Sequence, residues 1–274
     1  MAGATRGLLL VGCGKMGGAL LSGWLAGAAA PRPIHVVEPV AAGAAPFRGR
    51  PEVFPHSTLD TVPSDFAPAV VVFATKPQGM EAIVPAYRRF AGGDTVFLSI
   101  AAGRTIGFFA ANLGGEAAIV RAMPNTPAAI GRGISVAAPN ARVTEAQRNL
   151  CDALLAAAGE VGWVDDERLI DPVTAVSGSG PAYVFLLVEC LAEAGVAAGL
   201  PPDLAMRLAR ATVSGAGELL HRDPAPAATL RQNVTSPGGT TAAALAILMA
   251  EDGMRPLLAR AVAAATRRSR ELAG

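Results

Sequence analysis

The chain has 274 residues, enough to bury a sizeable core in one or two domains. A net charge of +1 offers no field that would recruit nucleic acid or a membrane surface, and 5% aromatic residues are too few for base-stacking platforms. Three cysteines, Cys13, Cys151 and Cys190, share no disulfide or metal-ligand spacing, which fits a reducing, cytoplasmic setting with no bound metal.

Arg6, the run Leu8 to Val11 and Ala28-Ala29-Ala30 have the outline of an export signal. The apolar run is only four residues long before glycines and Lys15 interrupt it, so export is not expected. Leu8-Leu9-Leu10-Val11 reads instead as a buried strand, broken at Gly12, Gly14 and Gly17, with a helix continuing through Ala19, Leu20 and Trp24. Strand, Gly-x-Gly-x-x-Gly and helix together let backbone amides at a helix start approach a pyrophosphate. Gly12 makes the tight turn, Gly14 the room for phosphate, and Gly17 the close packing of helix on strand, with Cys13 a small filler between them. A second strand, Ile34-His35-Val36-Val37, is closed by Glu38, twenty-one residues beyond Gly17, where a carboxylate accepts from a ribose 2′-hydroxyl. A ligand-free glycine turn has the same three glycines, but it has no need of the spaced acid.

From Pro39 to Pro68 the chain is rich in alanine and proline, and one irregular helix and a loop through Pro55-His56-Ser57 are expected. Ala69 to Thr75 reads as a strand buried on both faces, followed by a helix from Pro77 to about Phe90. Asp94 to Ala101 is another strand, then a helix near Thr105 to Leu113, then strands over Ala117 to Met123 and Gly133 to Ala138. The alternation predicts an α/β fold with a parallel, doubly wound sheet.

After Gly162 only helical periods remain. Ser177-Gly178-Ser179-Gly180-Pro181 reads as a turn that starts a helix to about Ala198, ended by Gly199 and Pro201. A helix from Asp203 to about His221, a short one near Ala227 to Gln232, a loop at 235–239 and two closing helices follow. The expected organisation is a Rossmann-type dinucleotide-binding domain over 1–162 and an all-α domain over 163–274. Tyr183 to Leu200 is strongly apolar but carries Glu189 and Glu193, so it is expected to be a buried or interface helix rather than a membrane span. Helices apolar on more than one face need a cover, and a second copy of the chain is expected to supply it.

Ligands of open α/β sheets sit beyond the carboxyl ends of the strands. Those ends are Val11-Gly12, Glu38, Ala74-Thr75-Lys76-Pro77, Ser99-Ile100-Ala101-Ala102-Gly103 and Met123-Pro124-Asn125-Thr126. Lys76 is either a ligand group or a solvated strand-end lysine, and Pro124-Asn125-Thr126-Pro127 is equally an ordinary turn. Lys15 and Lys76 are the only lysines, and all other basic residues apart from histidine are arginine. Ser236-Pro237-Gly238-Gly239-Thr240-Thr241, opening a helix at Ala242, offers free amides as a carboxylate cradle, though a cap and turn use the same residues. No nucleophile–histidine set stands out, since His35, His56 and His221 lie in separate segments; that fits hydride chemistry, where the cofactor does the hard step.

Three blocks resemble pyrroline-5-carboxylate reductase, the last enzyme of proline synthesis: Val11 to Gly17 with Ala74 to Pro77; Asp171 to Tyr183 (DPVTAVSGSGPAY); and Asn233 to Thr241 (NVTSPGGTT). The resemblance implies hydride transfer from NADH or NADPH to 1-pyrroline-5-carboxylate, giving L-proline, in a homodimer or higher homo-oligomer whose helical domain also binds substrate. It implies a dinucleotide held by Val11, Gly12, Cys13, Gly14, Lys15, Met16 and Gly17, with Ala74, Thr75, Lys76 and Pro77 and with Ser99, Ile100, Ala101 and Ala102. Asn233 would reach a neighbouring subunit's cofactor. Gly239, Thr240 and Thr241 would hold the substrate, with the Thr241 hydroxyl near the ring nitrogen, and Glu167 would lie close to it. Ser57 stands where relatives often have asparagine at a ribose contact, and Thr75 replaces the usual valine, a swap expected to be harmless. Glu38 should repel a 2′-phosphate and favour NADH, while Arg48 and Arg50 downstream would favour NADPH. Related dehydrogenases place a catalytic lysine in the interdomain helix, and Pro181 to Ala198 contains none.

Overall fold

Four-residue apolar strands buried on both faces decide the architecture. The computed structural model describes residues 6–273. It begins with β1 (Leu8–Val11), α1 (Lys15–Ala26), β2 (Ile34–Val37), α2 (Ala41–Ala44), β3 (Val53–His56), β4 (Val70–Phe73), α3 (Met80–Ile83) and β5 (Val96–Ser99). There follow α4 (Ile106–Leu113), β6 (Ala118–Met123), β7 (Gly133–Pro139), α5 (Glu145–Ala156) and β8 (Gly159–Trp163). The strands form one sheet in the order β3-β2-β1-β4-β5-β6-β7-β8, whose first six positions have the doubly wound dinucleotide-binding order. Alternate side chains divide between the two faces. Leu8, Leu10, Val72 and Leu98 pack with Leu20, Leu21 and Trp24 on one side; Leu9, Val71, Phe73 and Phe97 pack with Met80, Phe109 and Leu113 on the other. Both faces being covered explains why these strands read as unbroken apolar runs.

Helix α5, which periodicity alone did not single out, sets the direction of α1. Trp24 Nε1 donates to the Leu154 carbonyl at 2.8 Å, and a Cβ on Gly23 would stand 2.5 Å from the Ala157 carbonyl oxygen. The glycine loop is therefore mounted on a helix that cannot roll.

Several expectations need correction. The loop expected at Pro55-His56-Ser57 is largely the edge strand β3, paired parallel to β2 with Val37 opposite His56. An edge position tolerates Pro55, which has no amide to donate. The sheet is not wholly parallel, because β7 runs antiparallel to β6 after only a short 3-10 turn, Thr126–Ile130. The helix expected from Pro77 to Phe90 is α3 flanked by 3-10 turns, with Pro85 inside the second. The turn expected at Ser177 to Pro181 continues α6 (Ile170–Val173) as a π-helical turn, Thr174–Gly178. There Thr174 and Ser177 return their hydroxyls to the carbonyls of Ile170 and Val173.

The helical remainder is α7 (Gly180–Ala197), α8 (Pro202–Arg222), α9 (Ala227–Asn233), α10 (Thr240–Leu248) and α11 (Met254–Ala273). The last strand ends at Trp163, close to the expected boundary at Gly162, but packing divides the chain later. One unit continues through Gly178 and takes in the chain from Ala265 on; the other is Ser179–Ala264. The later cut has a cause. Ile170, Asp171 and Ala175 are buried, Gly178 lies against Met123, and Ser269 Oγ donates to Asp171 at 2.7 Å.

Within the second unit α7 and α8 meet through small residues, with Ala192, Ala205 and Ala209 buried and Gly195 against Ala205. Their large apolar side chains, among them Phe185, Leu186, Leu208 and Leu219, are exposed. Glu167–Ala197 is, among the described residues, the one helical stretch long and apolar enough to cross a membrane by length and composition.

Candidate active site

The glycine loop has the geometry its sequence requires. Gly12 has φ +91°, and a Cβ there would stand 2.7 Å from the Thr75 methyl and 2.9 Å from its amide nitrogen. A Cβ on Gly17 would collide with the Gly12 carbonyl oxygen. Gly14 is the opposite case: it is exposed, precedes α1 without a side-chain cap, and has nothing within 4 Å of where a Cβ would be. Two glycines are thus demanded by packing, and the third keeps open the space in front of the α1 amides. That space and its uncapped donors fit a pyrophosphate.

Glu38 builds this loop as well as facing it. Its Oε2 accepts the Cys13 amide at 2.7 Å and its Oε1 the Val40 amide at 2.9 Å. Cys13 is buried, and burial first, then the Glu38 charge, pushes its thiol up to about 11, so it stays protonated at neutral pH. Ser57 is exposed just beyond β3. Beneath it His56 Nε2 and His35 Nδ1 share a hydrogen bond of 2.8 Å, and Thr61 Oγ1 lies 3.1 Å from His56 Nδ1.

The neighbouring strand ends line up with the glycine loop. The Gly12 amide donates to Val37, Ala74 to Val11 at 2.8 Å, and Ile100 to Phe73 at 3.0 Å. Lys76 is exposed before Pro77, Ser99 is buried with its Oγ taking the Ala101 amide, and Ala102 is exposed. Lys15 is likewise exposed at the first position of α1. Thr75 holds a surprise: its Oγ1 is buried with no hydrogen-bond partner. The hydroxyl that threonine adds at this position therefore finds no acceptor within the protein itself.

Glu167 has a structural task that the resemblance does not name. Its Oε1 lies 2.9 Å from Arg121 Nη1 and accepts the Ile106 amide at 2.8 Å, tying β6 to the first turn of α4. Arg121, which sequence reasoning missed, has a side chain only 4% exposed; a lone arginine within an apolar strand was the available signal. Asn125 is a turn residue, its Oδ1 accepting the Ile134 amide at 3.0 Å.

In the second unit, Thr235 Oγ1 donates to the Arg231 carbonyl at 2.6 Å, and the Gly239 amide to Ser236 at 3.0 Å. Gly238 takes φ +71°, and Gly239 precedes α10 with no side-chain cap. Helix α10 begins at Thr240, two residues earlier than expected, so the amides of Thr240 and Thr241 belong to its first turn. Asn233 closes α9 and is exposed. Among the described residues no three or more His, Cys, Asp or Glu stand together as metal ligands. A cavity of about 350 Å³ lined by Asp94, Arg142 and Gln147 opens at the amino ends of the strands, opposite the rim just described.

A family model for pyrroline-5-carboxylate reductase dimerisation matches residues 167–272. The pyrroline-5-carboxylate reductase of Pseudomonas aeruginosa is 38% identical over 271 residues, covering 98% of each chain. The solved pyrroline-5-carboxylate reductase of Coxiella burnetii superposes with a TM-score of 0.90 at 32% identity, covering 99% of this chain and 100% of that one. The NADP-bound pyrroline carboxylate reductase of Plasmodium falciparum follows with a TM-score of 0.78 at 27% identity, covering 98% of each. Identity of this extent through both the sheet and the helical region establishes that the chain belongs to the pyrroline-5-carboxylate reductase family.

Proposed function

We propose that this chain reduces 1-pyrroline-5-carboxylate to L-proline with NADH or NADPH, in a homo-oligomer. The observation that carries this reading is the full-length likeness to reductases of that name, which spans both the glycine loop and the Thr235–Thr241 turn. The bound dinucleotide supplies the hydride. The chain's part is to bind and orient. Amides of Lys15 and Met16 take the pyrophosphate, and the segments Ala74–Pro77 and Ser99–Ala102 hold the remainder of the cofactor. Amides opening α10 at Gly239, Thr240 and Thr241 take the substrate carboxylate, and the Thr241 hydroxyl hydrogen-bonds the ring nitrogen. With that nitrogen protonated, its carbon accepts the hydride and the C=N bond becomes CH–NH.

The fixed Glu38 carboxylate repels a 2′-phosphate and favours NADH. Exposed Arg48 and Arg50 act against that preference, and the Plasmodium relative was solved with NADP bound. Asn233 serves a neighbouring subunit's cofactor. A second copy covers the exposed apolar faces of α7 and α8, which the dimerisation family model supports. The enzyme works in the cytoplasm, in keeping with its unpaired cysteines. Mixing purified protein, NADH and 1-pyrroline-5-carboxylate and following nicotinamide absorbance tests the reading. Absorbance that does not fall with either dinucleotide, in a protein that still binds one, would leave a dinucleotide-binding protein without turnover.

A further inference from the structure

Arg104 has no counterpart among the residues assigned to the rim, yet it joins two of its segments. It lies one residue beyond Gly103, in the loop from β5 to α4, and reaches across to the loop from β4 to α3. Nε donates to the Pro77 carbonyl at 3.0 Å, and Nη1 pairs with Glu81 Oε1 on α3 at 3.0 Å. The guanidinium carbon stands 4.7 Å from the centroid of the Phe108 ring on α4. One side chain therefore engages the two loops and the helix after each. The exposed pair with Glu81 contributes little by itself, because solvent screens it. The Pro77 bond is different: it is part-buried, and it fixes the carbonyl directly after Lys76. The rigid guanidinium fork holds Nε on Pro77 and Nη1 on Glu81 in one fixed plane, whereas a lysine ammonium on its flexible stem fixes the two partners less firmly. The far side of the β5 loop is held too, since Gly103 has φ +71° and a Cβ there would lie 3.1 Å from the Leu272 carbonyl oxygen.

We propose that Arg104 is a positioning residue that sets the spacing between Ala74–Pro77 and Ser99–Ala102 and so preorganises the rim for the dinucleotide. The inference rests on the reading that this rim holds the dinucleotide. Loops ordered beforehand spare the ligand the cost of ordering them, so the effect belongs in cofactor affinity rather than in substrate affinity.

The test is titration of NADH fluorescence with the full-length protein, alongside steady-state kinetics and thermal melting. R104A is expected to raise the NADH Kd about five- to tenfold, with KM for 1-pyrroline-5-carboxylate within about twofold and the melting temperature within a few degrees. R104K recovers only part of the loss, and E81Q moves Kd less than about twofold. A folded R104A protein with wild-type Kd overturns the proposal. Should R104A not fold, R104M decides, because it keeps an apolar stem beside Phe108 but has no donor, and wild-type affinity there shows that the Pro77 bond is dispensable and overturns the proposal. Wild-type protein that binds neither NADH nor NADPH overturns the reading of the rim itself, a result distinguishable because every variant then behaves alike.

Discussion

Glu38 Oε2 accepts the Cys13 amide at 2.7 Å, so the acid that ends β2 holds a residue of the glycine loop in place. Its other oxygen takes the Val40 amide, which leaves the carboxylate little freedom to turn away from a ribose. Glu38→Gln keeps one acceptor, loses the charge and strands one amide. We expect kcat/KM with NADH to fall about tenfold while that with NADPH holds or rises. An unchanged ratio between the two cofactors would remove Glu38 from cofactor choice.

Thr241 stands in the first turn of α10, where no side chain caps the helix. Thr241→Ala should lower kcat by about ten- to a hundredfold, the scale of losing one hydrogen bond aimed at the reacting group. The NADH Kd should stay near wild type. Turnover that does not change places Thr241 outside the mechanism.

Thr75 carries a buried hydroxyl with no partner. Thr75→Val removes that polar atom at nearly constant shape and should stabilise the protein by about 1 kcal/mol, raising the melting temperature by about 2–4 °C. A fall in melting temperature would show that the hydroxyl is satisfied in solution.

Glu167 answers a buried cation: the Arg121 side chain is 4% exposed and the Glu167 side chain 27%. Glu167→Ala leaves Arg121 without its counter-charge and should cost about 3 kcal/mol, read from the urea midpoint, with KM for 1-pyrroline-5-carboxylate unchanged. The reverse pattern, a raised KM at wild-type stability, would place Glu167 at the substrate instead.

His35 packs against Phe54, Phe66 and His56, and burial first, then His56, lowers its pKa from 6.5 to about 4. Above 6.5 it is neutral whether the chain is folded or not. As pH falls from there towards 4, the unfolded chain binds a proton that the folded chain refuses, so stability is lost across that window. His35→Phe should flatten the pH dependence of the urea midpoint in its upper part, above the carboxylate range. Equal slopes in the two proteins would assign the loss to other groups.

Backbone-level chemistry was legible before any coordinates. Gly12, Gly14 and Gly17 announce a loop that side chains would block, Leu8 to Val11 and Val70 to Phe73 announce strands covered on both faces, and Glu38 stands at the spacing a ribose demands. These are local properties, carried by residue type and period within one element and its flanking turn. The family blocks were legible for the same reason: each is built from short contiguous runs.

What the tertiary structure alone decided concerns partners distant in the chain. Pro55 looks like a loop residue until β3 is seen at the sheet edge, where its missing amide is harmless. The reversal of β7, the pairing of Arg121 with Glu167 forty-six residues away, and the reach of Arg104 to Pro77 leave no periodic trace. Whether the Thr75 hydroxyl has an acceptor is equally invisible in sequence. Each depends on which atom of a remote element arrives within hydrogen-bonding distance, and only the packed chain fixes that.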